Sequence, residues 1–427
     1  FTSNQKDSKM KTNYAVLVGL DWADEKHDLQ YRETDTGRLH AHDLKHNPES
    51  IHEWISGLLA QYAGRKIALC LEQSRGAVIY ALMGYEAVDL FTLNPVTLAK
   101  YRQAFRPSGA KDDPSDAGLL LELLQRHPES LRLWQPDTPS TRLLQHLCED
   151  RRKAVDLRTS LGNSLRSKLK EYFPQALQLV GENLCSELCC SFLLKWPRFE
   201  SVAKARAETL RKFYYAHHSR SEELIQQRLK LIATSRSLCT DAAIVEAALL
   251  WVQSLIPQIR ALNRAIQAYD RRIEQLFKEH PDRTIFQSFP GAGRQLAPRL
   301  LTAFGTRRDR FGLAVQAANY FGISPVIERS GKQEWIHWRW HAPKFLRQTL
   351  VEFAQKSIGA SAWAKAYYQR QLQEGNQHHA AVRALAFKWI RILFRCWQQH
   401  TPYDEARYLA ALRRQGSWIP HHLEHAA

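Results

Sequence analysis

The chain's 427 residues suffice for two or three domains with full cores, and a hydrophobic share of 44% excludes a disordered polypeptide. Sixty lysines and arginines against 43 acids leave a net charge of +17, which speaks for a polyanionic partner, nucleic acid before any other. Seven cysteines without a Cys-x-x-Cys pair argue against a disulfide framework or a zinc site and fit a reducing, cytoplasmic setting.

No apolar run reaches the length of a membrane span, so no membrane partner is expected. The N-terminal FTSNQKDSKM is polar, lacks a signal-peptide core and reads as a leader, with Met10 a candidate native start. Residues 14–22, YAVLVGLDW, read as a buried strand ending in an acid. Residues 27–33 and 39–45 read as the next two strands, joined by a turn at Thr34-Asp35-Thr36-Gly37. Residues 48–62 carry Ile51, Trp54, Ile55, Leu58 and Leu59 at helical spacing. A short apolar strand at 66–71 is followed by Glu72, then a helix at 76–85, a strand at 89–93 and a helix at 95–105. Residues 109–124, GAKDDPSDAGLLLELL, place Asp113 and Asp116 three apart on the first turn of a helix, where Pro114 and acids are both favoured.

The order β-β-β-α-β-α-β-α describes a mixed α/β sheet whose strand ends share one rim. Asp21 ends the first strand, Glu72 the fourth, and Asp113 and Asp116 open the last helix, so four carboxylates distant in sequence can converge. Such a cluster repels itself unless cations neutralise it, which is the physical reason to expect Mg²⁺. Ribonuclease-H-like nucleases are built this way, and their metal ions polarise a phosphodiester. Taken singly, each acid also reads as a solvated strand end or a helix cap.

Beyond Thr138 helical patterns take over. Leu157, Leu161, Leu165, Leu169 and Phe173 recur every four residues until Pro174. Residues 182–194 and 201–215 are helical too, and Cys185, Cys189 and Cys190 read as buried thiols there. Val245, Ala248, Val252, Leu255, Ile259, Leu262, Ile266, Tyr269, Ile273 and Leu276 alternate spacings of three and four, a heptad seam interrupted by Pro257. That seam argues for a coiled coil, with pairing between chains favoured over a helical hairpin within one. PGAG at 290–293 reads as a helix-hairpin-helix turn in which Gly291 and Gly293 let backbone N–H groups approach a phosphate, or as a plain turn. In ERSGKQEWIHWRWH, Ser330 lies between Arg329 and Gly331-Lys332, and Trp335, Trp338 and Trp340 alternate with His337, Arg339 and His341. That interleaving suits stacked bases and a phosphate backbone, with Trp338 and Arg339 as candidate contacts, or else a β-hairpin packing its tryptophans inward. Residues 344–363 and 380–398 are amphipathic basic helices, and the segment after about 415 is short, polar and frayed. Three regions result: an α/β domain at 13–135, a helical coiled-coil region at 138–282 and a mostly helical domain at 284–415.

At this point the chain resembles a known group. GLDWADEKHD, LCLEQSRG and GAKDDPSDAGLL in the N-terminal part, and SFPGAG, ANYFGISP, ERSGK and FLRQTLVEFA in the C-terminal part, are similar to the DEDD transposases of the insertion-sequence one-ten family, the bridge-RNA-guided serine recombinases. The resemblance runs from about residue 13 to about 412, and the central helices match only in character. It implies a RuvC-like (RNase H-like) N-terminal domain with Mg²⁺ held by Asp21, Glu72, Asp113 and Asp116. It implies a C-terminal transposase domain whose Ser330 attacks a DNA phosphodiester and holds the strand as a phosphoserine ester. It further implies donor and target DNA as substrates, a structured noncoding (bridge) RNA as guide, a site combining both domains, a homo-oligomer assembling from dimer to tetramer, and work in the bacterial cytosol. Two departures stand out. Asp112 replaces the family's Thr before the third acid, leaving Asp112 and Asp113 both open as ligand, with spacing to Asp116 favouring Asp113. WRWHAPK replaces the family's Lys-Arg-Gly-Asn stretch after the serine. Arg329 and Lys332 are candidates to steady the phosphorane. The rival readings are a metal-dependent Holliday-junction-type endonuclease, with Ser330 a mere turn residue, and a non-catalytic nucleic-acid-binding regulator.

Overall fold

The computed structural model describes residues 14–72, 75–105, 113–331 and 333–425, and the chain divides into two units between Pro136 and Asp137. In the first unit β1 (Tyr14–Asp21), β2 (Lys26–Glu33) and β3 (Leu39–Lys45) are followed by α1 (Pro48–Gln61), β4 (Lys66–Leu71), α2 (Ala77–Leu82), β5 (Val88–Thr92), α3 (Pro95–Phe105), α4 (Asp113–Arg126) and the two-residue β6 (Arg132–Leu133). The mixed sheet runs β3-β2-β1-β4-β5-β6, with β1, β4 and β5 parallel and the others antiparallel to their neighbours. This is the N-terminal RNase H-like arrangement that the sequence implies; β6 is too short to leave a sequence pattern.

The central strands are apolar on both faces because helices cover both. Val16, Val18 and Leu20 of β1 point into a core shared with Ile51, Ile55 and Leu58 of α1, while Leu17 points into one shared with Leu119, Leu120 and Leu124 of α4. Asn47 caps α1 by accepting from the Ser50 N–H at 2.7 Å, and Pro48 follows at the first helical position. Gly19 lies on the α4 side of β1, where a Cβ would collide with the Ala117 carbonyl and the Leu121 nitrogen. Backbone therefore lies on backbone there, which fixes the start of α4 against the end of β1.

The second unit is helical, with one exception. It comprises α5 (Pro139–Tyr172), α6 (Glu187–Lys195), α7 (Ala207–Ala216), α8 (Glu222–Thr234), α9 (Ala242–Glu279), α10 (Gly293–Phe304), α11 (Ala314–Tyr320), the hairpin β7 (Val326–Ser330) and β8 (Gln333–His337), then α12 (Lys344–Ser357), α13 (Ala362–Gln373), α14 (His378–Gln398), α15 (Glu405–Arg414) and α16 (Trp418–His425), besides shorter turns. The seam of α9 packs along α5 of the same chain. Arg151 pairs with Asp270 at 2.5 Å and Arg158 donates to Asn263 at 2.9 Å, so the two helices run antiparallel. Val252, Leu255 and Ile259 are buried with Leu165 and Leu169. The seam is thus taken up by a hairpin within one chain, and not by the pairing between chains that its period favoured. α9 continues through Pro257.

Two expectations are corrected. By length and composition α9 is apolar enough to cross a membrane, because the seam residues and the exposed Leu250 and Trp251 share one long helix; the core helix of a folded domain has the same character. The C-terminal segment is also not frayed: α16 buries Ile419 completely, and Arg370 stacks on Trp418 at 4.4 Å. All seven cysteines are free thiols, and burial pushes the Cys190 thiol up to about 11 and Cys189 further.

Candidate active site

Parallel neighbours end on the same rim, so β1 and β4 bring Asp21 and Glu72 together. The β1–β2 ladder closes with Asp21 directly opposite Asp28. The close approach at Gly19 sets the first turn of α4 beside them, and with it Asp116. Asp21, Asp28, Glu72 and Asp116 thus line one open cleft of about 320 Å³, together with Trp22, Pro95, Ala99 and Arg102. The Asp113 side chain and the whole of Asp112 lie outside the described residues, as does Lys332.

Asp116 is 3% exposed and would be costly to bury alone as an anion. Arg102 of α3 meets it with two parallel hydrogen bonds, Nε to Oδ1 at 2.8 Å and Nη2 to Oδ2. Removing one partner of a buried pair leaves an uncompensated charge, so Arg102→Ala is expected to cost about 3 kcal/mol of folding stability, measured by urea unfolding. Arg102→Lys should recover only part of it, since an ammonium cannot match the fork.

A buried histidine pins the rim. His27 has no exposed surface; its Nδ1 accepts from the Ala23 N–H at 3.2 Å and its Nε2 shares a hydrogen with His46 Nδ1 at 2.9 Å. Burial, and then the neighbouring His46, push the imidazole down to about 4. The unfolded chain therefore takes up this proton before the folded one does, and stability falls as pH drops from about 6.5 to about 4, by up to about 3 kcal/mol. Melting temperatures of wild type and His27→Gln across that window are expected to diverge at high pH and converge at low pH.

The cleft's donors are all hard carboxylate oxygens, which suit Mg²⁺. Among the described residues no three His, Cys, Asp or Glu side chains close around one ion. Asp21 opposite Asp28 is the strongest local reason for such an ion, since like charges across a ladder repel.

In the second unit Ser330 ends β7, paired with Gln333 across a tight turn at Gly331, whose φ of +59° favours glycine. Every residue from Ile327 to Gly331 is exposed, and Arg329 pairs with Glu334 at 2.7 Å across the hairpin. The tryptophans do not pack inward as a group: Trp335 and Trp340 are exposed. Trp338 is half-buried, with Arg347 over its ring at 5.0 Å and Arg383 at 4.4 Å. The Arg339 carbonyl accepts from Arg347 at 3.0 Å. At the PGAG turn the space beside Gly291 is filled by the backbone of Lys356 and Ser357, whereas that beside Gly293 is open.

Comparison with known proteins places these features in one family. A family model described as transposase, of the DEDD type, matches residues 18–174, and one described as transposase of the IS116/IS110/IS902 family matches residues 283–369. The chain belongs to the IS110 family of transposases. It is 29% identical over 404 residues to the mini-circle putative transposase for IS117 of Streptomyces coelicolor, an alignment spanning 93% of this chain and 97% of that protein. It is 22% identical over 408 residues to the IS900 uncharacterized 42 kDa protein of Mycobacterium paratuberculosis, spanning 93% and 99%.

In this transposase the fold brings together three of the four carboxylates picked out from the sequence, Asp21, Glu72 and Asp116. It adds two residues that sequence reasoning missed. Asp28 was findable: a hairpin closing on Asp21 puts some residue of the next strand opposite it, and counting the register gives Asp28. Arg102 left no signal, because a basic residue on an amphipathic helix is ordinary.

Proposed function

We propose that this transposase cuts and rejoins donor and target DNA through a phosphoserine ester at Ser330, with a divalent cation, Mg²⁺ by donor type, held by Asp21, Asp28, Glu72, Asp113 and Asp116. The observation that carries the metal half is the meeting of Asp21, Asp28, Glu72 and Asp116 in one cleft. A serine hydroxyl is a weak nucleophile and needs its proton removed. Its Oγ forms a bond to phosphorus while the P–O bond to the departing strand breaks, and that strand's oxygen leaves as a hydroxyl. Attack by another strand's hydroxyl reverses the step and restores both the diester and the serine. Phosphodiester energy is kept in the ester, so exchange needs no nucleotide cofactor. When bound, the cation would neutralise phosphate oxygens as charge develops. Arg329 and Lys332 flank the nucleophile and supply positive charge to the same phosphate. Arg102 keeps the Asp116 carboxylate fixed until the substrate arrives.

Choice of sequence is assigned to a structured noncoding RNA paired with donor and target, as in the family this chain resembles. The +17 charge supports broad backbone contact with such duplexes. The proposal also includes a homo-oligomer. The test is incubation of the protein, with RNA co-purified from its host, with donor and target DNA and MgCl2, followed by denaturation. A protein-linked DNA strand is expected; cleavage without any linked strand would instead make the chain a metal-dependent nuclease.

A further inference from the structure

A second cleft, of about 350 Å³, lies between α14 and α15, away from the serine hairpin's own residues. Lys388, Arg391, Arg395, Arg407 and Arg414 line it, against one acid, Asp404, which accepts from the Arg407 N–H at 3.0 Å and so caps α15. None of those four arginines forms an ion pair with a carboxylate among the described residues, although neighbouring Arg370 and Arg413 pair with Glu374 and Glu424. Lys388 is half-buried, and burial and the nearby Arg391 both lower its affinity for a proton. Five like charges around one concavity repel each other, and an anion there relieves the repulsion. The floor is apolar and aromatic: Ile392, Cys396, Leu412, and the half-buried rings of Tyr403 and Tyr408.

We infer that this cleft binds a single unpaired nucleotide of a nucleic-acid strand, its phosphate held by Arg391, Arg395 and Arg407 and its base against the tyrosines. The volume is at the small end for ligand sites, which admits one nucleotide and excludes a duplex. Aromatic rings beside cations are the usual platform for unpaired bases. The inference deepens the reading above, by adding a single-strand contact remote in sequence from the catalytic residues, but does not need catalysis to hold.

Fluorescence anisotropy of the full chain with labelled 12-nucleotide single-stranded RNA, single-stranded DNA and a 20-base-pair duplex tests it. The double variant Arg391→Ala/Arg407→Ala is expected to bind single strands at least about 10-fold more weakly, with the log–log salt dependence shallower by about 1 to 1.5. Duplex binding should change less than about 2-fold on the same scale. Loss confined to RNA assigns the cleft to a guide strand, and loss confined to DNA assigns it to a displaced strand. Arg413→Ala, whose arginine is already paired, should bind as wild type, with circular dichroism verifying the fold of each variant. Unchanged single-strand affinity in the double variant, or equal loss of duplex binding, overturns the assignment. The readout is equilibrium binding without MgCl2 and needs no strand cleavage, so failure of the catalytic proposal and failure of this one are told apart.

Discussion

Ser330→Ala is expected to abolish the denaturation-resistant protein–DNA adduct and to lower strand exchange on the order of 10⁴-fold or more, as loss of a covalent nucleophile does. The fold should not notice the change. Ser330 sits exposed at the end of β7, where its backbone makes the ladder and Gly331 supplies the positive φ of the turn. Alanine keeps both and removes one oxygen. Melting temperature is therefore expected to stay within about 1 °C of wild type, as for most exposed substitutions. Ser160→Ala, which removes another exposed hydroxyl, is the control and should keep the adduct. An adduct surviving in Ser330→Ala would move the nucleophile elsewhere, and cleavage surviving without one would make water the attacking group.

Asp21→Asn should produce the second large effect, a loss of strand exchange on the order of 10³-fold, because a neutral amide binds a hard divalent cation poorly. Its effect on stability should run the other way. Asp21 faces Asp28 across the ladder, and removing one of two opposed charges relieves repulsion. The variant is expected to melt at or slightly above the wild-type temperature without metal. Added MgCl2 should raise the wild-type melting temperature by mass action and leave Asp21→Asn unmoved. A variant that melts lower and responds to Mg²⁺ like wild type would show that Asp21 is a structural residue. Asp116 makes a poorer test, since it is buried against the half-buried Arg102 and folding would suffer along with function.

The contrast between these two aspartates shows how far the sequence could be read. Both were visible as acids at element ends. That Asp116 is buried against Arg102 and that Asp21 faces Asp28 could not be seen, because both facts depend on which distant residues arrive beside them. The heptad seam gives a similar lesson. Its period announces a long buried stripe and favours pairing between chains, yet the same stripe also serves within one; α5 takes it up by presenting Leu165 and Leu169 to Val252 and Leu255. The tryptophan-rich stretch shows the same limit. The hairpin is there, but Trp335 and Trp340 stay exposed, and Trp338 has Arg347 and Arg383 over its ring.

What the sequence by itself determined is the set of local structures and the residue types at their ends. Apolar period, turn residues and caps are short-range properties, and they suffice to lay out a mixed sheet with acids at β1, β4 and α4 and a Ser-Gly turn. Only the tertiary structure decided which charges meet: Asp21 with Asp28, Asp116 with Arg102, and the arginines of α14 with those of α15. Electrostatic energy depends on distance through space and on burial, and neither is written in the spacing of residues along a chain.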